Sequence, residues 1–465
     1  MRSEIAGWHF GVLAAAGTGH LNPMIALSQE LAARGHRVTF FGRPKSETLV
    51  PQAGFDFVAV ARKATGKEDI PAPLGILAEI SLLRSRLRRM CAEVKMYLDE
   101  LPRAIAEADV NVLLVDEIAL AGPTVAQLLD VPYFIVTTSV PHRFGWQSAS
   151  WLTGYRNSKS PLAWLQRFFL ELSVFRMHGP VRRTVDHFRA AAGLGPVRGI
   201  PDEYPCLADI AQLSRCLDLP RRRTPQDFRY AGPFVKRAAR AHVTFPWERL
   251  DGRPLIYASL GTTSCVRPEI IRIIAAACDG LDTQLVISLG NRFATEEFDS
   301  LPGKPVVVRY APQPELLRHV DLVITHAGLN TVFETLREGK PMIAIPLAYD
   351  QPAVAMRLER LGVAEVLPAT RLSPARIRRA IRKVLADSRY ADAAKRIQSQ
   401  LCAIDGAGRA ATIMENALEP YRLTNKYWRA CDGPKPGADA SGIRGRNHTS
   451  RASESSSSTA PVRSQ

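Results

Sequence analysis

The run WHFGVLAAAGTGHLNPMIALSQELAARGHRVTFF, Trp8 to Phe41, decides the fold class. Trp8 to Ala14 reads as a strand buried on both faces, because its apolar residues are not interrupted at every second position. Gly17-Thr18-Gly19-His20 reads as a turn. Leu21, Met24, Ile25 and Leu31 then recur at helical spacing until Gly35 stops the helix, and His36 to Phe41 forms a second strand. Strand, helix, strand in this order is a βαβ unit, the building block of a parallel sheet covered by helices.

Outward from this unit the pattern persists. Strand signals recur at Phe57 to Val60, Val110 to Val115 and Tyr133 to Thr137, with a helical pattern from about Leu74 to Ala108. The pattern then restarts, with strands at Leu255 to Ser259, Gln284 to Ser288, Val306 to Val308 and Leu322 to Thr325, and a helix from Pro268. The expected class is α/β, two Rossmann-like doubly wound domains facing a central cleft. The first domain is expected over 1–232 and the second over 252–420. A linker over 233–251 contains Pro233 and Pro246 and is bounded by Gly232 and Gly252. Residues 431–465 are rich in Gly, Pro, Ser and Arg, with an unbroken Ser455 to Ser458, and cannot bury enough apolar surface to fold. A chain of 465 residues suits two cores rather than one.

Composition narrows the function classes. Hydrophobic residues make up 46% and charged residues 23%, the balance of a globular enzyme. A net charge of +16 and a pI near 9.8 fit an anionic partner, or equally arginine spread over solvated faces. No nucleic-acid motif accompanies that charge, so no nucleic-acid partner is expected. The seven cysteines are scattered without a CxxC pair, which points to free thiols in the cytoplasm. No apolar run approaches the ~18 residues of a spanning helix. Arg2 and the stretch ending at Ala14-Ala15-Ala16-Gly17 outline a signal peptide, but Glu4, Trp8 and His9 interrupt it.

Chemistry-bearing residues cluster in the second half. Thr325-His326-Ala327-Gly328-Leu329-Asn330-Thr331-Val332-Phe333-Glu334 follows a strand and opens a helix. Free backbone N–H groups and the helix dipole at Asn330 and Thr331 suit a diphosphate, and His326 can donate to the same phosphates as charge builds on a leaving group. Gly328 lets backbone approach closely. Upstream stand Arg309-Tyr310-Ala311-Pro312-Gln313, and downstream Pro341, Pro346 and Asp350-Gln351.

From Tyr310 through Gln351 these residues and their offsets resemble the nucleotide-sugar signature of the family 1 glycosyltransferases of the GT-B fold. The resemblance implies that Glu334 takes two ribose hydroxyls, that Tyr310 stacks on the base, that Gln313 belongs to the donor wall, and that Asp350 and Gln351 bind the sugar hydroxyls, with Gln favouring glucose. Ser259-Leu260-Gly261-Thr262 resembles the family's second phosphate-facing loop, so Ser259, Gly261 and Thr262 join the donor site. It further implies a helix over 421–430 returning to the first domain. Leu329 stands where plant members carry Trp, and Tyr310 where Trp is frequent.

On the opposite wall, Gly19-His20-Leu21-Asn22-Pro23 places an imidazole at the strand-to-helix junction. Histidine titrates near working pH and suits removal of a proton from an acceptor hydroxyl as that oxygen attacks the anomeric carbon. Asp116 matches the family's carboxylate that orients this base, with Glu117 directly after it. One displacement inverts the anomeric centre. No Asp-x-Asp triplet is present, so no metal and no cofactor are expected; the UDP-sugar is a co-substrate.

At finer grain the chain is similar to bacterial zeaxanthin glucosyltransferases, over segments such as Glu30 to Phe40, Val115-Asp116-Glu117 and Pro346 to Pro352. This implies a lipophilic hydroxylated acceptor, a carotenoid such as zeaxanthin favoured over a macrolide, sterol or phenol. Pro141 to Trp146 departs from that pattern. A basic amphipathic stretch, Leu82 to Leu101, would dock a monomeric enzyme on anionic membrane, or equally present a core-facing stripe with a solvated back. Two other readings are disfavoured: a sugar-nucleotide epimerase by the Gly19-His20-x-x-Pro23 turn with Asp350-Gln351, and a non-catalytic scaffold by His20, Asp116, Glu334 and Asp350 together.

Overall fold

The apolar run that opens the chain becomes β1 (His9–Leu13), with all five residues buried. In the computed structural model, residues 7–62, 76–141, 179–196, 206–219, 224–235, 243–262, 266–290 and 292–423 are described. The remaining strands of the first half are β2 (Arg37–Gly42), β3 (Asp56–Ala59), β4 (Val112–Asp116), β5 (Tyr133–Thr137), β6 (Asp209–Ala211) and β7 (Phe228–Tyr230). They form one parallel sheet in the order β3-β2-β1-β4-β5-β6-β7. The strand order reverses between β1 and β4, where Leu13 pairs with Val115, and a crevice opens beyond their carboxyl ends.

The second half repeats this plan with β8 (Leu255–Ser259), β9 (Gln284–Ser288), β10 (Val306–Val308), β11 (Leu322–Thr325), β12 (Met342–Ala344) and β13 (Ala364–Val366). Its parallel order is β10-β9-β8-β11-β12-β13, so the reversal falls between β8 and β11, where Ser259 pairs with Thr325. The two reversals put two crevices at the disposal of one site. The expected α/β, GT-B-like architecture of paired Rossmann-like sheets is therefore the one adopted.

Three expectations change. Residues 17–20 are not a separate turn: the helix Thr18–Ala33 begins at Thr18, with Gly17 as its N-cap. The three-residue strands β6, β7 and β13 gave no periodic signal, since so short a strand contains less than two periods of side-chain alternation. The return to the first sheet begins at Gly406 rather than at 421. Ala407, Ala410, Ala411, Met414 and Leu418 of the helix Gly406–Leu423 share one buried cluster with Leu21, Met24 and Leu31. Arg34 clamps that helix through Glu415 Oε2 at 2.7 Å and the Gly408 carbonyl at 2.8 Å.

The helix expected near Leu74 to Ala108 spans Ile76–Glu107 and buries Val94, Leu98, Leu101 and Ile105 on the first sheet's core. The two halves pack as one compact unit. Val140, Ala211, Leu213, Leu217 and Phe228 of the first half join the same apolar cluster as Val354, Leu358, Ala394 and Leu401 of the second. The linker expectation falls partly on residues 236–242, and the tail expectation on 431–465, both outside the described residues.

Candidate active site

His20 is the third residue of the helix Thr18–Ala33, just beyond β1, and Asp116 is the last residue of the neighbouring β4. Strand adjacency at the sheet reversal is what brings them together. His20 Nδ1 lies 2.9 Å from Asp116 Oδ2 and 3.2 Å from Oδ1. The carboxylate is fully buried, and Oδ1 also accepts the Ile118 N–H at 3.1 Å. The imidazole keeps a quarter of its surface exposed. Asp116 thus binds the Nδ1–H tautomer and leaves Nε2 as the basic nitrogen. Burial works to lower the His20 pKa, but the Asp116 carboxylate, helped by Glu117 and Asp350, overrides it and raises the value to about 9.

Glu117 is buried beside this pair and accepts the Ser139 N–H at 2.7 Å. Burial first, and repulsion from Asp116 second, push its carboxyl up to about 8. It is therefore protonated at neutral pH. His20, Asp116 and Glu117 are the trio among the described residues whose ligand-capable atoms lie within 4.8 Å of one another. Two of those groups are already committed, Nδ1 of His20 to Asp116 and Oε1 of Glu117 to the Ser139 backbone.

The facing wall belongs to the second sheet. Ser259 ends β8, and Gly261 follows in a left-handed conformation, φ +74°. His326 follows β11 and is buried between the two glycines of the expected site. A Cβ on Gly261 would sit 2.5 Å from its Cε1, and one on Gly328 would sit 2.4 Å from its Nε2. The close approach that Gly328 permits is thus the approach of an imidazole. Burial pushes the His326 pKa down to about 4, against a hydrogen bond with the Ser259 backbone that raises it. This histidine is neutral at pH 7 and offers a dipole, not a charge.

Gly328 caps the helix Leu329–Arg337, so Asn330 and Thr331 stand in its first turn, where backbone N–H groups lack intrahelical acceptors. Glu334, further along this helix, is buried, with Oε2 accepting Gln313 Nε2 at 2.7 Å; Gln313 Oε1 in turn accepts the Tyr257 hydroxyl at 3.0 Å. Tyr310 lies half-buried just past β10. Asp350 caps the helix Gln351–Leu361. Gln351 is buried, and its Oε1 accepts the Leu347 and Ala348 N–H groups at 2.8 and 2.9 Å, so its amide N–H₂ is the group left to offer. Two non-glycine residues of these loops, Ala327 and Tyr349, hold positive φ of 65° and 57°. Such strain persists where surrounding contacts over-determine a conformation, as around binding loops.

The walls touch through side chains from both. Thr18 Oγ1 lies 2.8 Å from Thr262 Oγ1, and Asn330 Nδ2 donates to the Gly19 carbonyl at 2.9 Å. Asp350 is hydrogen-bonded to the Val140 backbone and near enough to His20 for its charge to act there. His20, Asp116, Thr262, Asn330 and Asp350 are therefore brought together between the two sheet reversals. Thr18, Thr138 and Gln212 were not expected in it. Thr138 Oγ1 lies 2.8 Å from His20 Nδ1, and Gln212 reaches both Thr138 and Asn330. Thr18 was visible next to His20; Thr138 and Gln212 become neighbours of His20 only through strand pairing.

With this geometry in place the comparisons with known proteins become specific. Residues 229–401 match the family model for UDP-glucoronosyl and UDP-glucosyl transferase. The chain is 28% identical to a zeaxanthin glucosyltransferase of Pantoea ananas, covering 88% of this chain and 96% of that one. It is 29% identical to a zeaxanthin glucosyltransferase of Pseudescherichia vulneris, covering 88% and 98%. Among solved structures, the calicheamicin glycosyltransferase CalG4 superposes with a TM-score of 0.68 at 23% identity, covering 90% of this chain and 99% of that one. Matching donor segment, full-length relatives and paired sheets agree, and the protein is a glycosyltransferase built on the GT-B fold that transfers a sugar from a nucleotide-sugar, its residues 229–401 resembling the UDP-glucoronosyl and UDP-glucosyl transferases.

Proposed function

We propose that the enzyme is an inverting, metal-independent hexosyltransferase that moves glucose from a UDP-sugar to a hydroxyl of a lipophilic small molecule, with a carotenoid diol such as zeaxanthin as the favoured acceptor. The observation that carries this reading is the 2.9 Å contact of His20 with Asp116, facing a helix N-terminus on the other wall. His20 Nε2 takes the acceptor hydroxyl proton as that oxygen forms its bond to the anomeric carbon. The bond from that carbon to the diphosphate oxygen breaks on the opposite face, and UDP leaves with the electron pair. Asp116 stabilises the imidazolium, while the first-turn N–H groups of Leu329–Arg337 and the neutral His326 hold the departing charge. Glu334 is assigned to the ribose and Asp350 with the Gln351 amide to the sugar hydroxyls. The names of the full-length relatives support a carotenoid acceptor.

The test is UDP release and product mass with UDP-glucose, in EDTA, given zeaxanthin, a sterol, a macrolide or a flavonol in detergent micelles, with His20→Ala in parallel. Release with zeaxanthin that survives EDTA and falls by roughly 10²–10⁴ in the variant is expected, the usual worth of a general base. Loss in EDTA restored by Mn²⁺ overturns metal independence, and release only with another acceptor discards the carotenoid.

A further inference from the structure

Gln212 stands one residue past β6, its backbone N–H bonded to the Thr137 carbonyl at 3.0 Å, so strand pairing alone sets it beside Thr138. The residue is 1% exposed. The amide nitrogen donates to the Thr138 carbonyl and, at 3.3 Å, to Asn330 Oδ1. Both partners are acceptors, which fixes the orientation of the amide. Asn330 is oriented in the same sense, because its own nitrogen donates to the Gly19 carbonyl at 2.9 Å. From Gly19 the chain runs directly into His20, whose Nδ1 lies 2.8 Å from Thr138 Oγ1. Hydrogen bonds and peptide links thus close a ring, His20 to Thr138 to Gln212 to Asn330 to Gly19 and back. It crosses from the first sheet to the donor helix twice. Gln212 Oε1 is buried and has no hydrogen-bond partner among the described residues, so the amide is held for what its nitrogen does.

We infer that Gln212 is a positioning residue of the transfer reaction, coupling the seating of the donor helix on the first domain to the placement of His20. The inference rests on His20 being the base. Only with the donor helix seated does Asn330 hold both Gly19 and Gln212, and only then are both neighbours of the imidazole tied down. A base displaced by about 1 Å loses on the order of 10²-fold in rate, whereas of the donor-site residues only Asn330, through its side chain, meets Gln212. The effect therefore falls on kcat more than on donor KM.

The test compares wild type with Gln212→Leu, Gln212→Glu and His20→Ala in UDP-glucose turnover with an accepted lipophilic alcohol, recording kcat, donor KM, the pH profile of kcat and the melting temperature. Leucine removes both donated bonds at similar volume. Glutamate keeps the glutamine shape but sets a carboxylate against two acceptors. The expected order of kcat is wild type, then Leu about tenfold lower, then Glu lower still, with donor KM changed less than kcat and the pH inflection of kcat displaced in both variants. A residue that only fills space predicts the reverse, Glu milder than Leu, and an unmoved pH profile; either result overturns the inference. Should Gln212→Leu fail to fold, Gln212→Asn withdraws the amide by one methylene and carries the same expectation. If His20→Ala keeps wild-type activity, the base assignment falls and the inference with it. If His20→Ala is inactive while the Gln212 variants match wild type, the inference alone falls.

Discussion

A histidine raised to about 9 by a buried aspartate is cationic at neutral pH. Deprotonation of His20 should therefore make kcat/KM climb with pH toward an inflection near that value. Asp116→Asn removes the charge that raises the pKa, so the inflection moves to lower pH even as the maximal rate drops, because the orienter of Nδ1–H is also lost. A pH-rate profile of both proteins checks this; an inflection that stays put in the variant removes Asp116 as its cause. Glu117, raised to about 8, ionises within the same window, so the profile reports the group as a whole rather than His20 alone. At this scale His20, Asp116, His326 and Asp350 stood out in the sequence because each sits at a strand end or a helix start, and Glu334 because of its fixed offset from Asn330 in the motif. Gln212 was not. It lies amid Ala211 and Leu213 with no motif around it, and its partners are 74 and 118 residues away.

Among the elements, the helix Gln351–Leu361 carries sugar-site candidates at its start and, two turns on, Arg357. That guanidinium is pinned to Asp218 at 2.8 Å, with the side chains 6% and 1% exposed, and Asp218 also accepts the Tyr230 hydroxyl at 2.7 Å. Asp218 follows β6 on the first sheet, so a buried ion pair ties the helix behind Asp350 to the other half of the molecule. Removing one partner leaves an uncompensated buried charge, at a cost of about 3–5 kcal/mol. Arg357→Met is expected to lower the midpoint of denaturant unfolding accordingly, and adding Asp218→Asn to recover part of the loss; equilibrium unfolding of the single and double variants checks it, and an unchanged Arg357→Met midpoint removes the pair from the stabilising contacts. The longer elements were legible, since β1, β4, β5, β8 and β11 are nearly continuous apolar runs between recognisable helices. β6 was not, because Asp209-Ile210-Ala211 is too short to show side-chain alternation; its place is fixed by pairing with β5 and by Asp209 Oδ1 accepting the Thr137 hydroxyl at 2.7 Å.

For the whole molecule, the +16 charge and the helix Ile76–Glu107 bear on where a lipophilic acceptor is met. Arg84, Arg88 and Arg89 are exposed, whereas Val94, Leu98, Leu101 and Ile105 face the core. No helix among the described residues is long and apolar enough to cross a membrane. The proposal of peripheral contact predicts that the protein floats with anionic vesicles at low salt and is released as salt rises, because screening weakens such attraction over about 10 Å at 0.1 M. Failure to float on anionic vesicles at low salt removes membrane docking and leaves the basic residues as a solvated face. By itself the sequence determined the two βαβ-built halves and singled out the candidate donor loop and the His20–Asp116 pair, since apolar periodicity and strand-end motifs are local patterns that short stretches of chain carry. Tertiary structure alone decided the rest. The seating of Asn330 on Gly19, the Gln212 bridge, the Asp218–Arg357 pair and the early return at Gly406 all join residues far apart in the chain. Such contacts exist only once parallel strands have set the register and the two sheets have closed on a shared core, and no local pattern encodes which distant partner that packing will supply.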